Sequence, residues 1–255
     1  MKTAILLVAY GSSNPAARAE LDYFEKLCRS RFPRFPLRWA FSSAILRKRL
    51  SNSRQKSDSV EKAIMRLHFE NFKSIAIQPL QTICGKEHEA VIQSAVRAAL
   101  SINVKCEIGS PLLSGPQAIS EAANALLNEL PPERLPDEDV IFMGHGAKHA
   151  GAKAYQELDI EISARDRRVH VASMSGPVFL ENIMPRLVSP KVWLVPLLSV
   201  IGKHALHDMA GDCPDSWKNR IEQGGHSCVP VLKGMAQWNG ICEIWLNNLG
   251  KMLSV

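Results

Sequence analysis

Short apolar runs bounded by turn residues alternate along this chain with amphipathic stretches, and that alternation restricts the fold more than any other feature. The runs fall at 3–9, 37–41, 74–77, 105–108, 139–143, 169–173, 192–197 and 227–232. Rich in Val, Ile and Leu and too short for helices, they suit strands buried on both faces. Between them the apolar spacing changes to that of a helix. Val60, Ala63, Ile64 and Leu67 follow Asp58 and Glu61, which have capping-box spacing. Ile92, Ala95, Val96, Ala99 and Leu100 form a second stripe, and Ile241, Ile244, Trp245, Leu249 and Met252 a last one, read as core packing. Strand–helix alternation requires right-handed crossovers. The expected class is therefore α/β, with parallel sheets flanked by helices on both faces.

The pattern also repeats. Val8-Ala9-Tyr10-Gly11-Ser12 matches Met143-Gly144-His145-Gly146-Ala147, and Gln78-Pro79-Leu80 through Gly85-Lys86-Glu87 matches Val195-Pro196-Leu197 through Gly202-Lys203-His204. A weaker match joins Gly109-Ser110-Pro111-Leu112-Leu113 to Cys228-Val229-Pro230-Val231-Leu232. Generic strand-turn segments resemble one another, but three matches in the same order point to an old duplication. Two similar Rossmann-like lobes are expected: 1–130, and 139–255 carrying the histidines. The proline-rich, acidic segment 131–138 would join them, with a cleft between the lobes for a sizeable ligand.

Composition narrows the functional classes. With 255 residues, 46% of them hydrophobic, the chain has material for a large core. No apolar stretch approaches the roughly 20 residues that cross a bilayer. The N-terminal apolar run is short and ends in a glycine turn, so it reads as a first strand, and the protein as cytoplasmic and not a membrane partner. Six cysteines lack any C-x-x-C pair, which fits reduced thiols; Cys84 and Cys213, near the histidine turns, read as small buried hydrophobes before ligands. The net charge of +6 calls for a polyanionic partner. Nucleic acid does not fit, because the basic residues are dispersed and only three tyrosines and five tryptophans are available for stacking. Arg47-Lys48-Arg49 is either a solvated loop or a patch for an acidic ligand.

Chemistry concentrates in two turns, Gly144-His145-Gly146 and Gly202-Lys203-His204, each following a strand candidate. Open parallel sheets bind ligands at the carboxyl ends of their strands, where a neutral imidazole can take a divalent metal or a proton. His149 and His207 lie three or four positions beyond these ligand candidates, and His207-Asp208 could orient His204. In the first half, Tyr10-Gly11-Ser12-Ser13 offers backbone N–H groups and hydroxyls to a carboxylate, although helix capping explains Ser13 and Asn14 nearly as well. Lys86 and Arg47 suit acidic groups, and His88 stands one place after Glu87, the counterpart of His204. His68, His170 and His226 read as structural or exposed.

These residues resemble the class II tetrapyrrole chelatases, specifically the anaerobic CbiK-type sirohydrochlorin cobaltochelatases. The matching stretches are Val140 to Ala147, His204-Ala205-Leu206-His207-Asp208-Met209-Ala210 with Asp215-Ser216-Trp217-Lys218, Ala40-Phe41-Ser42-Ser43 with Arg47-Lys48, and Gly85-Lys86-Glu87-His88-Glu89. The resemblance implies a bilobed chelatase that inserts Co²⁺ into sirohydrochlorin or precorrin-2 without ATP and with no organic cofactor. Fe²⁺ and Ni²⁺ are the alternative metals, and a non-catalytic tetrapyrrole- or metal-binding protein the alternative role. The substrate's carboxylates would account for the basic charge, and a small homo-oligomer is implied. His145 and His204 fall on the family's metal-binding, catalytic histidines, with His145 also the favoured proton acceptor. Tyr10, Ser12, Ser13, Lys86, Glu87 and His88 are the expected substrate contacts. One departure stands out: aligned on Pro177, Met174 occupies the place of the family's glutamate ligand. Three outcomes follow: Glu157, Glu181 or Glu87 substitutes, the two histidines act with water, or the protein has moved to another metal or to binding alone.

Overall fold

The computed structural model describes residues 2–52 and 57–255, and its contacts group into two units, Met1–Leu112 with Cys242–Val255, and Leu113–Ile241. The first holds four parallel strands, β1 (Thr3–Ala9), β2 (Leu37–Phe41), β3 (Ser74–Pro79) and β4 (Lys105–Ile108), in the order β2-β1-β3-β4. Ala4 to Ala9 are buried throughout, as a central strand covered on both faces requires. Each fully buried Leu or Ile there contributes about 1.5–3 kcal/mol relative to exposure.

Helix α1 (Pro15–Arg31) starts where Asn14 accepts the Ala16 N–H, and Pro15 costs no helical bond in the first turn. Helix α2 (Ala44–Asn52) carries Arg47, Lys48 and Arg49, so the basic stretch is helical. Its Arg47 donates to the carbonyls of Phe41 and Ser42 and is thereby committed to the backbone. Helix α3 (Val60–Phe69) buries Val60, Ala63, Ile64 and Leu67 as expected, but its cap is Ser59, one residue after Asp58. Asp58 instead meets Arg66 at 2.7 Å.

Helix α4 (Lys86–Ile102) forms where its periodicity places it, yet it buries His88, Val91, Ala95 and Ala98 while Ile92, Val96 and Leu100 face solvent. The chosen face is the one that joins Ile64, Leu67, Ile75 and Ile77 in a shared apolar cluster.

The second unit repeats this plan with β5 (Asp139–Gly144), β6 (Val169–Ser173), β7 (Lys191–Leu197) and β8 (Ser227–Pro230), in the order β6-β5-β7-β8. Irregular hydrogen bonds recur with the repeat: Ser42 N–H to Ala9 O is matched by Met174 N–H to Gly144 O, and Ile5 to Pro36 by Val140 to Arg168. Helices α5 (Pro116–Asn128), α6 (Lys153–Ser163), α7 (Leu180–Ile183) and α8 (Trp217–Gln223) flank this sheet.

The units do not divide where residues 131–138 place the linker. Helix α5 belongs to the second unit, where Ser120 and Asn124 accept bonds from Arg165 beside α6. Residues 131–138 lie inside that unit and are bonded into it, Arg134 to Asp166 at 3.0 Å and Glu138 to the Trp193 indole N–H at 2.6 Å. The last helix, α9 (Asn239–Leu253), carries Trp245 into the first unit's core, edge-on to Phe24 with ring centroids 5.4 Å apart. No helix among the described residues is long and apolar enough to cross a membrane.

Candidate metal-binding site

Strands β5 and β7 are hydrogen-bonded neighbours, and their last residues, Gly144 and Leu197, are in register. The turns that leave them therefore start side by side at the carboxyl end of the two central strands. Two close approaches shape the first turn. A Cβ on Gly144 would lie 2.3 Å from the Tyr155 ring, and one on Gly146, whose φ is +73°, would lie 1.7 Å from the Ser175 carbonyl oxygen. Glycine at 146 thus meets both a backbone requirement and a spatial one. The turn is fastened to residues 173–176 by the Ala147 N–H, which donates to Ser175 O at 3.0 Å.

The second turn opens a short π-helix, His204–Met209, in which the Ala210 N–H reaches back five residues to Ala205 O. Ala205 and Met209 are its buried anchors. Helices wound this way occur often at functional sites. Nothing in six residues of sequence distinguishes this winding from an α-turn, because Ala205 and Met209 suit either.

The result is that the imidazoles of His145 and His204 meet, with ring centroids 4.9 Å apart and planes at 76°. A metal bound by two imidazoles sits about 2 Å from each nitrogen, and rings this close are compatible with one ion between them. Hydrogen bonding assigns the protons. His145 Nδ1 lies 3.0 Å from the carbonyl oxygen of Gly146, and His204 Nδ1 lies 2.6 Å from Asp208 Oδ2. Carbonyl and carboxylate oxygens only accept, so both Nδ1 atoms donate. Each neutral ring then keeps its Nε2 lone pair for a metal or a proton.

Met174 enters this neighbourhood through its backbone, its N–H bonded to Gly144 O at 3.1 Å. Its side chain packs against the apolar cluster of Ile141, Met143, Ala172 and Met209. No group of three or more His, Cys, Asp or Glu side chains among the described residues is arranged to hold a metal ion. Glu157 is paired with Lys153 at 3.4 Å, and Glu181 with Arg220 at 2.7 Å. Backbone hydrogen bonding and then Arg220 hold the Glu181 carboxyl below its ordinary range. His149 caps the 3₁₀ turn 150–152, its Nδ1 accepting the Gly151 N–H, and His207 is exposed.

No cysteine joins the histidine pair in a group of three among the described residues. Cys84 and Cys213 are exposed, not buried as expected. Burial drives the thiol of Cys228 up to about 12 and that of Cys106 up to about 11, away from the thiolate a metal needs.

In the first unit, Tyr10, Ser12 and Ser13 follow β1, and Lys86, Glu87 and His88 open α4 after β3, the strand next to β1. Tyr10 is half exposed; Ser12 accepts the Asn14 N–H and so helps to start α1. His88 is buried, with no hydrogen-bond partner at Nδ1, and burial lowers its pKa. His170 is also buried, within β6.

Comparison with known proteins identifies the family. The family model described as cobalt chelatase (CbiK) matches residues 3–254. The chain is 42% identical, over 99% of its length and 91% of the relative's, to the sirohydrochlorin cobaltochelatase CbiKC of Nitratidesulfovibrio vulgaris. It is 30% identical to the sirohydrochlorin cobaltochelatase of Salmonella typhimurium, over 100% of this chain and 98% of the other. Among solved structures, SirB from Bacillus subtilis with Fe³⁺ superposes with a TM-score of 0.69 at 15% identity, covering 99% of this chain and 96% of that one. That likeness shows the chelatase fold. On the family match and the two relatives, the chain belongs to the CbiK cobalt chelatase family.

Proposed function

We propose that the protein inserts Co²⁺ into sirohydrochlorin, or into precorrin-2, without ATP, as a step toward a cobalt-containing cofactor. The observation that carries this reading is the pair of Nε2 lone pairs left free on two touching imidazoles at the end of β5 and β7. Metallation requires delivery of a divalent ion and removal of two pyrrole protons. Imidazole suits Co²⁺, Fe²⁺ and Ni²⁺ alike, so ligand type does not choose among them, and availability weighs as heavily as affinity.

Two roles compete for each lone pair, and the acceptors at Nδ1 divide them. His204 is bonded to a carboxylate, which raises its basicity as a ligand and suits it to hold the incoming ion. His145, bonded only to a backbone carbonyl, is left to accept one of the two pyrrole protons once the ion has moved to the ring, and the other passes to solvent water. As substrate contacts we assign Tyr10, Ser12, Ser13, Lys86, Glu87 and His88, with Lys86 meeting substrate carboxylates. The setting we take to be the cytoplasm, in keeping with six cysteines that form no disulfide, and the assembly a small homo-oligomer, as the family implies.

A second reading is favoured by one observation, the thioether of Met174 where a carboxylate is expected: a protein that binds the metal or the macrocycle without metallating it. An absorbance assay separates the two. Purified protein is mixed with sirohydrochlorin and Co²⁺, Fe²⁺ or Ni²⁺, and insertion is timed against the uncatalysed rate. Acceleration with Co²⁺ is expected; none with any metal would leave the binding protein. His145→Ala and His204→Ala should each lower the rate by about 10²-fold or more, and wild-type rates in both would show that the chemistry lies elsewhere.

A further inference from the structure

The bond between His204 and Asp208 is short, 2.6 Å, and joins side chains four residues apart on the π-helix. That length is typical of a bond to a charged acceptor. Folding gives little reason for the carboxylate to be there. Both side chains are 46% exposed, and an exposed pair of this kind contributes little to stability. Asp208 also lies in the last turn of its segment, where unpaired carbonyls disfavour a negative charge.

The bond does settle which ring nitrogen carries the proton. A free neutral imidazole prefers its hydrogen on Nε2, and on His204 that proton would block the nitrogen left open to a cation. His145 meets the same requirement with the Gly146 carbonyl, which comes with the turn. His204 follows no such turn, since its segment is helical and its neighbouring carbonyls are directed along the axis. It therefore needs a side-chain acceptor one turn away, and the buried anchors Ala205 and Met209 fix the winding that brings Asp208 there.

We infer that Asp208 is a positioning residue: by accepting the Nδ1–H of His204 it holds that imidazole in the tautomer whose Nε2 lone pair is open to an incoming divalent cation. This rests on the reading of His204 as a metal-carrying residue. The oxygen of Asp208 that faces His204 does not then serve as a metal ligand itself.

Nitrogen-15 NMR of the histidine rings reads the tautomer directly, in the full chain and without metal, at pH 8. In the wild type, His204 should carry its proton on Nδ1; in Asp208→Ala and Asp208→Asn it should move in large part to Nε2. Calorimetry with Co²⁺ alone should show affinity weaker by about 10–100-fold in both variants. In a His204→Ala background, Asp208→Ala should add no further loss. The melting temperature should change by no more than about 2 °C, and Asp208→Asn, which keeps the shape of the side chain, stands in if the alanine variant folds poorly.

An unchanged His204 tautomer would overturn the inference. If Co²⁺ binding were nevertheless weakened, Asp208 would be a ligand and not a positioning residue. The proposed activity fails separately: wild-type protein that leaves sirohydrochlorin unmetallated, while tautomer and Co²⁺ affinity still follow Asp208, would remove the chelatase reading and keep this one.

Discussion

At Gly146 the backbone is left-handed and the nearest atom to a would-be Cβ is another carbonyl oxygen, 1.7 Å away. No rotamer relieves that overlap, so Gly146→Ala should cost more than about 2 kcal/mol, seen as a lower urea midpoint with unchanged slope. Met174 presents the opposite trade. Its side chain lies on an apolar cluster, yet its backbone is bonded to the strand end that bears His145. Met174→Glu should tighten Co²⁺ binding, by restoring a negative charge, and lower stability by about 1–2 kcal/mol; calorimetry and thermal melts check the two halves, and unchanged affinity would count against the missing charge. Both positions were marked in the sequence, Gly146 by its turn and Met174 by the family resemblance. What was not legible was the proton arrangement, because the acceptors of His145 and His204 are set by a turn conformation and a helical winding that the residue types do not specify.

Among the elements, all eight strands appear where the apolar runs place them, and three of the helical stripes lie on helices. Helix α4 shows the limit of periodicity. Val91, Ala95 and Ala98 recur at the same spacing as Ile92, Val96 and Ala99, one position apart, so the helix has two apolar faces and the sequence does not rank them. The sheet decides, by taking the face with the smaller residues against Ile75 and Ile77. Accordingly Val91→Ala should destabilise by about 2 kcal/mol, whereas Leu100→Glu, at an 81% exposed site, should stay within about 0.5 kcal/mol. Paired chemical denaturations of the two variants test this, and a reversed order would place the other face inside.

For the molecule as a whole, buried imidazoles away from the histidine pair make stability depend on pH. His170 is 1% exposed, and neither ring nitrogen has a hydrogen-bond partner; Asp139 stands 3.8 Å from Nε2, too far for one. Burial first, and then the Arg186 guanidinium, lower its pKa, so the folded state keeps the ring neutral. The unfolded chain takes up the proton first as pH falls below about 6.5. Stability from this group is therefore complete above that pH and is lost below it, by up to about 1.4 kcal/mol per pH unit until the folded value is reached. His88, also lowered by burial, acts with the same sign. Urea midpoints should fall between pH 7 and pH 5, and fall less in His170→Gln.

By itself the sequence determined the strands, the duplicated β-turn pattern and the two histidine turns, because each of these is written in a few adjacent residues. The repeated strand order, β2-β1-β3-β4 and β6-β5-β7-β8, follows from that duplication. Tertiary structure alone decided the allegiance of the helices: α5 joins the second unit, and Cys242–Val255 returns to the first to set Trp245 against Phe24. Proline-rich composition marked residues 131–138 as a boundary, but their hydrogen bonds to Asp166 and Trp193 are contacts with distant residues, which composition does not record. The meeting of His145 and His204 is of the same kind. It depends on β5 and β7 ending in register, and a register is fixed by packing across the sheet and not by either strand on its own.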